Sequence, residues 1–243
     1  MDFKIPEIRH ASLDDRPLFL AFAFTVYRIF NLFCRVFMRL EVSGLENLKA
    51  MKRPFLICPN HQSFLDPFVL CSNYPFDFFK NTFHVGASEF FQTRWMGWIA
   101  QMLHVVPVNP DTQLMKAMKA GAIGLKNGRI LNIYPEGERA YDGNLHQFKK
   151  GAAILATELE LPILPVAIDG LHNVWGRRTL KIRPAKVKIR IGSPFYATDV
   201  VQSNNEQRTT NDEQPSTNNE QTYEAVTAHL KQTIADMIDE MRS

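Results

Sequence analysis

His61 and Asp66 stand five positions apart in Cys58-Pro-Asn-His61-Gln-Ser-Phe-Leu-Asp66-Pro67, directly after an apolar run. A carboxylate that holds one imidazole nitrogen leaves the other able to take a proton from a hydroxyl, so the pair is a candidate general base. It comes without a serine nucleophile of its own. On one continuous helix the two residues would point about 140° apart, so a turn must bring them together. The same residues also fit a plain helix start, with Asp66 as N-cap and Pro67 at the first helical position. Spacing alone does not choose between these readings, because His10 and Asp15 repeat it where no strand precedes.

A second group, Ile133-Tyr134-Pro135-Glu136-Gly137-Glu138-Arg139, also closes an apolar run. Gly137 permits a tight turn, and the planar fork of Arg139 suits a phosphate or carboxylate. A solvated turn with a surface Glu-Arg pair is the competing reading. A third run, Leu161-Pro162-Ile163-Leu164-Pro165-Val166-Ala167-Ile168, reads as a strand that begins at Pro162, with Pro165 marking a bulge or a sheet edge, since proline lacks the amide a central ladder needs.

These groups need a scaffold to hold them. From about Leu40 to Pro194, short β-rich runs alternate with helical stretches, which predicts an α/β fold: a mostly parallel central sheet flanked by helices. Strands are expected at 55–58, 82–85, 105–108, 130–134, 163–168 and 187–191, and helices near 67–72, 88–102, 112–125 and 149–159. In open α/β sheets ligands collect beyond the carboxyl ends of the strands, which is where the first two groups fall.

Before this domain, the first segment, 1–39, lacks the basic and apolar layout of a secretory signal. Its stretch Pro17 to Met38 is long enough to cross a bilayer, but Arg28 interrupts it and Arg35 and Arg39 follow. On a helix these arginines fall within about 40° of one another, beside Asn31. A basic stripe on a greasy rod predicts an interfacial amphipathic helix, with Phe19, Phe22, Phe30 and Phe33 available to acyl chains and guanidiniums to anionic headgroups. An ordinary domain helix with its apolar side inward is the other reading. After the α/β domain, 40–201, residues 202–222 contain no aliphatic or aromatic side chain and are expected to form a flexible linker. In 223–243, Val226, Leu230, Ile234, Met237 and Met241 recur at helical spacing, predicting an amphipathic C-terminal helix.

Composition excludes several classes of function. The 243 residues carry 28 Lys and Arg against 25 Asp and Glu, a formal charge of only +3, so no nucleic-acid partner is expected. With 45% hydrophobic and 22% charged residues, neither global disorder nor a polytopic membrane protein fits. Cys34, Cys58 and Cys71 lie in apolar runs without metal-ligand spacing, so no metal site or disulfide framework is indicated and a reducing compartment fits best.

Taken in order, NHQSFLD, YPEGER and LPILPVAI resemble the blocks of the glycerophospholipid acyltransferase family, which includes 1-acylglycerol-3-phosphate acyltransferase. The resemblance extends from about Val42 to Pro194. It implies transfer of a fatty acyl group from an acyl-CoA or acyl carrier protein thioester to a lysolipid hydroxyl, with 1-acylglycerol-3-phosphate the first acceptor, at the cytoplasmic face of a membrane. It also implies His61 as the base, Asp66 as its partner, and Glu136, Gly137 and Arg139 as acceptor-binding residues. The thioester is already activated, so no metal or redox cofactor is expected beyond the donor as co-substrate. Two positions depart from the family pattern. Glu138 replaces the usual threonine, and Asn109 stands where the second block usually ends in arginine, leaving Asn109 as a neutral candidate for acceptor binding. Another lysolipid lacking a phosphomonoester, such as a lyso-aminolipid, a non-catalytic lipid-binding module, and a thioesterase in which water replaces the lipid alcohol remain the alternatives. Lys149 and Lys150 are candidates to offset the lost charge, although a solvated helix start is the commoner role for such a pair.

Overall fold

The computed structural model describes residues 17–87, 104–108, 114–140, 142–177, 181–208 and 219–243. The expected helix over 88–102, Asn109, the Phe19 side chain and the His10/Asp15 repeat lie outside the described residues. Seven strands form one sheet: β1 (Glu41–Ser43), β2 (Phe55–Pro59), β3 (Thr82–Ala87), β4 (Val105–Val108), β5 (Ile130–Asn132), β6 (Ile163–Asp169) and β7 (Lys188–Ile191). Their order is β1-β7-β6-β2-β5-β3-β4. Every neighbouring pair is parallel except β6 and β7, so β1 and β7 run opposite to the other five strands.

Alternation along β2 builds a core on each face of the sheet. Phe55 and Ile57 enter one apolar cluster, while Leu56 and Cys58 enter the other. The first cluster is covered by helices α1 (Pro17–Phe37), α2 (Leu45–Ala50), α3 (Asp66–Cys71), α4 (Phe76–Asn81) and, further along the chain, α7 (Leu171–Trp175). The second is covered by α5 (Leu114–Lys126), α6 (Gly151–Glu158), α8 (Ala197–Arg208) and α9 (Asn219–Arg242). All three cysteines are free and buried in these cores.

Pro165 lies within a central strand, so the edge alternative for it fails and the bulge alternative holds. Val166 pairs with Ile191, yet Ile163 bridges to Phe195, so the β7 side carries one extra residue opposite Pro165. Gly192 donates to the Pro165 carbonyl at 2.9 Å, and the proline has no amide to return the bond.

The expected linker 202–222 is helical at both ends. Helix α8 continues to Arg208 and α9 already begins at Asn219, while 209–218 lie outside the described residues. The first turn of α9, Asn219 to Thr222, has no apolar side chain to bury; polar pairs hold the start of the helix instead. Lys150 bonds Glu220 and, at 2.8 Å, Glu224, and the Tyr223 hydroxyl bonds Glu158. From Val226 onward α9 buries Val226, Leu230, Ile234, Met237, Ile238 and Met241.

In helix α1 the arginines of the expected stripe, Arg28 and Arg35, are exposed, while Asn31 beside them turns inward. Asn31 is buried and donates to the Ser72 hydroxyl at 3.0 Å and to Asn73 Oδ1 at 2.9 Å. Arg35 donates to Asn31 Oδ1 at 3.0 Å, and Arg28 reaches the Ser72 carbonyl at 3.5 Å. This polar face therefore clamps α1 to the residues that follow α3. Phe30 packs against the core and Phe33 stacks on Phe37 at 5.0 Å. The side of α1 away from the sheet is apolar instead: Leu18, Phe22, Ile29, Leu32, Phe33 and Val36 are 50% to 86% exposed.

Candidate active site

The carboxyl ends of β2 and β5, neighbours at the centre of the sheet, deliver the two polar groups to the same place. Asn60 prolongs β2 beyond its last regular pair. Its side chain donates to the Ile168 carbonyl at 2.9 Å and accepts from the Ile168 amide at 2.7 Å, standing in for a strand residue against β6. Nothing in the spacing had singled out Asn60; an asparagine before the histidine gives no signal of a backbone mimic.

The chain then turns, and Asp66, the first residue of α3, faces back across that turn. Its Oδ2 accepts from His61 Nδ1 at 2.7 Å, from the Gln62 amide at 2.6 Å and from the Ser63 amide at 3.0 Å. The plain N-cap reading is thus replaced: the carboxylate satisfies the amides before the helix and fixes the imidazole. Asp66 is fully buried while the His61 side chain keeps 18% of its surface exposed. The His61 ring stacks on Tyr134 with centroids 4.0 Å apart, so its plane is set by a second contact. With Nδ1 held, Nε2 has no hydrogen-bond partner among the described residues.

The Glu136 carboxylate is buried and turned inward. Oε1 accepts from the His61 amide at 2.7 Å and Oε2 from the His146 amide at 3.0 Å. Burial raises its pKa, against the lowering effect of those two amides. Glu136 therefore ties the histidine turn to the following loop. Gly137 has φ +74, in the left-handed region, and a Cβ there would lie 2.8 Å from Lys149 Nζ. The left-handed φ is what the turn asks of the glycine, and the Lys149 side chain crosses beside it. Lys150, by contrast, faces α9 through its pairs with Glu220 and Glu224.

Arg139 is held beside the dyad. The amide of Ala140 donates to the His61 carbonyl at 2.8 Å, and the Arg139 guanidinium lies 6.0 Å from the centre of the Phe64 ring. Glu138 does not load the site with uncompensated negative charge: Arg177 Nη1 bonds its Oε2 at 2.8 Å and holds its pKa below the usual carboxylate value. Around the rim, Ser63 Oγ donates to the Trp175 carbonyl at 2.7 Å, and Trp175 meets Phe64 edge-on at 5.7 Å. Among the described residues no group of His, Cys, Asp and Glu is placed to hold a metal ion.

The chain that carries this site has counterparts among known sequences. The family model described as Acyltransferase matches residues 39–169, more than half of the chain and all of both polar groups. The chain belongs to the acyltransferase family. This acyltransferase-family protein is 30% identical over 169 residues to a chloroplastic 1-acyl-sn-glycerol-3-phosphate acyltransferase of Brassica napus, covering 67% of this chain and 46% of that one. It is 30% identical over 165 residues to a 1-acyl-sn-glycerol-3-phosphate acyltransferase of Pseudomonas aeruginosa, covering 65% of this chain and 60% of that one. The chain spans about half the length of the first curated relatives it matches, 46% to 50%. Its fold is also that of the crystal structure of a 1-acyl-sn-glycerophosphate acyltransferase, PlsC, from Thermotoga maritima, with a TM-score of 0.68 at 20% identity over 94% of this chain and 84% of that one.

Proposed function

We propose that the protein is an O-acyltransferase that moves a fatty acyl group from an acyl-CoA or acyl carrier protein thioester to the hydroxyl of 1-acylglycerol-3-phosphate. The observation that carries this reading is the 2.7 Å contact between His61 Nδ1 and the buried Asp66, which leaves the second ring nitrogen for substrate. Family membership supports the reaction class. The names of the relatives support the acceptor.

In the step that follows from this geometry, Nε2 of His61 accepts the proton of the acceptor hydroxyl as its oxygen attacks the thioester carbon. Asp66 keeps the imidazole in the tautomer with its proton on Nδ1 and stabilises the imidazolium. The tetrahedral intermediate collapses, the C–S bond breaks, and the departing thiolate takes the proton back from His61. Arg139 lies where it can bind the acceptor's anionic group, and Glu136 keeps the two loops in register. The pairing of Glu138 with Arg177 favours an acceptor bearing phosphate over one lacking it, since the carboxylate is already neutralised.

Membrane association is supported by α1, whose 18-residue window Leu20–Phe37 is long and apolar enough to cross a membrane by length and composition. Its buried face, Leu20, Ala23, Tyr27, Asn31, Cys34 and Met38, belongs to the domain core. Crossing the bilayer would strip that face from the core, so the reading adopted is a helix lying in one leaflet, at the cytoplasmic face, where soluble acyl donors are available.

The test is incubation of purified protein with acyl-CoA, acyl carrier protein thioester and a panel of lysolipids, with product identification. Phosphatidate formation is expected. His61→Ala should lower the rate on the order of 10² to 10⁴ while leaving the circular dichroism spectrum intact. Turnover like wild type in a folded His61→Ala protein would remove the mechanism.

A further inference from the structure

Arg177 follows α7, in a part of the chain far from both polar groups in sequence, yet it arrives at their rim. One guanidinium nitrogen, Nη1, makes both of its bonds: to Glu138 Oε2 at 2.8 Å and to the Arg139 carbonyl at 3.1 Å. The side chain remains 40% exposed, so the rest of the fork faces solvent. Arg177 thus lies against the backbone of a residue whose own guanidinium sits over Phe64, one position before the residue bonded to His61. The two cations feel each other: burial and then Arg177 lower the pKa of Arg139, against the raising effect of Asp66. Lys149 crosses Gly137 on the same rim. Holding like charges this close is unfavourable, and an anion that enters between them relieves the repulsion. A phosphomonoester, with two charges and three acceptor oxygens, matches such a pair of forks. In a glycerol 3-phosphate ester the phosphate is only a few bonds from the hydroxyl that must reach His61.

We propose that Arg177 is a specificity-determining residue that, together with Arg139, grips the phosphomonoester of the lysolipid acceptor. This rests on the acceptor reading above and adds to it a residue from outside the recognised blocks. Glu138 then acts as a placeholder: it holds the Arg177 fork at the rim before the acceptor arrives.

The experiment compares wild type, Arg177→Ala and Arg177→Lys in two assays. In steady-state turnover with acyl-CoA and 1-acylglycerol-3-phosphate, Arg177→Ala should raise the acceptor KM about 10- to 100-fold, the range expected for lost bonds to a charged group. The kcat and the donor KM should change by less than about twofold, because the dyad and donor are untouched. Arg177→Lys, which keeps the charge and loses the fork, should recover part of the loss. In calorimetric titration, glycerol 3-phosphate should bind wild type more tightly than Arg177→Ala, and glycerol should bind neither. An unchanged acceptor KM would overturn the proposal. So would a rise confined to the KM of acyl-CoA, which carries phosphates of its own, or a fall in kcat alone, which would mark a merely structural role. If glycerol 3-phosphate binding depends on Arg177 but no lysolipid is acylated, the transferase reading fails and the anion site stands. If wild type and Arg177→Ala make phosphatidate with equal KM, the reverse holds.

Discussion

Glu136 stood out in the sequence as a candidate site residue but not as a brace. The residue type and its place after a strand announced an acidic group at the site, and only the fold shows both oxygens already taken by the amides of His61 and His146. Glu136→Gln keeps the shape but sets an amide NH2 against one of those N–H groups. Stability should fall by about 1–3 kcal/mol in urea melts, together with activity. A raised acceptor KM at unchanged stability would instead make Glu136 a direct ligand. His84, on β3, carried no signal at all in the sequence. It is buried, with Nδ1 bonded by Asn132 Nδ2 at 3.0 Å and Nε2 3.7 Å from Cys71 Sγ. Burial, with smaller contributions from His104 and His61, pushes its pKa down to about 3. The unfolded imidazole takes up a proton near pH 6.5 and the folded one does not, so folding loses stability as pH falls from there toward 3, by at most ~1.4 kcal/mol per pH unit. Above pH 7 this contribution is flat. Denaturation midpoints at pH 7.5, 6 and 5 should fall more steeply for wild type than for His84→Gln, and parallel slopes would refute the assignment.

Among the elements, β2, β5 and β6 were read nearly to the residue because they are short apolar runs buried on both faces, and such runs show directly in a sequence. The three-residue β1 and the short α2, α4 and α7 were missed, since so few residues cannot establish a period; they exist through what they touch. Helix α5 shows the same dependence in one residue. Gly124 is a poor helix former, and Ala would be favoured there by ~1 kcal/mol on propensity. A Cβ at Gly124 would, however, stand 2.2 Å from the Phe83 ring of β3. Overpacking costs about 1–3 kcal/mol, so Gly124→Ala should lower the thermal midpoint despite its better propensity. Adding Phe83→Leu should recover part of the loss by making room. A stabilised single variant would show that α5 can move off the sheet.

For the whole molecule, the exposed row of Leu18, Phe22, Ile29, Leu32 and Val36 decides how the domain meets its surroundings. Each large aliphatic side chain fully buried in lipid contributes about 1.5–3 kcal/mol. Replacing Ile29 and Leu32 together by Asp should weaken binding to phospholipid vesicles by at least ~10-fold in a sedimentation assay, with the thermal midpoint unchanged because neither side chain enters the core. Undiminished vesicle binding would mean that another surface meets the membrane.

Residue types and local order were enough to determine the α/β class, the placement of both polar groups after strands, and the greasy character of the first helix, because periodicity and strand ends are properties of neighbours in the chain. Contact across the chain decided the rest. It paired Glu138 with Arg177, set Tyr134 beneath His61, turned Asn31 inward and left Leu18 to Val36 outward. Which side of an apolar helix faces a core, and which cation a carboxylate meets, depend on groups dozens of residues away, and no local pattern encodes where those groups will lie.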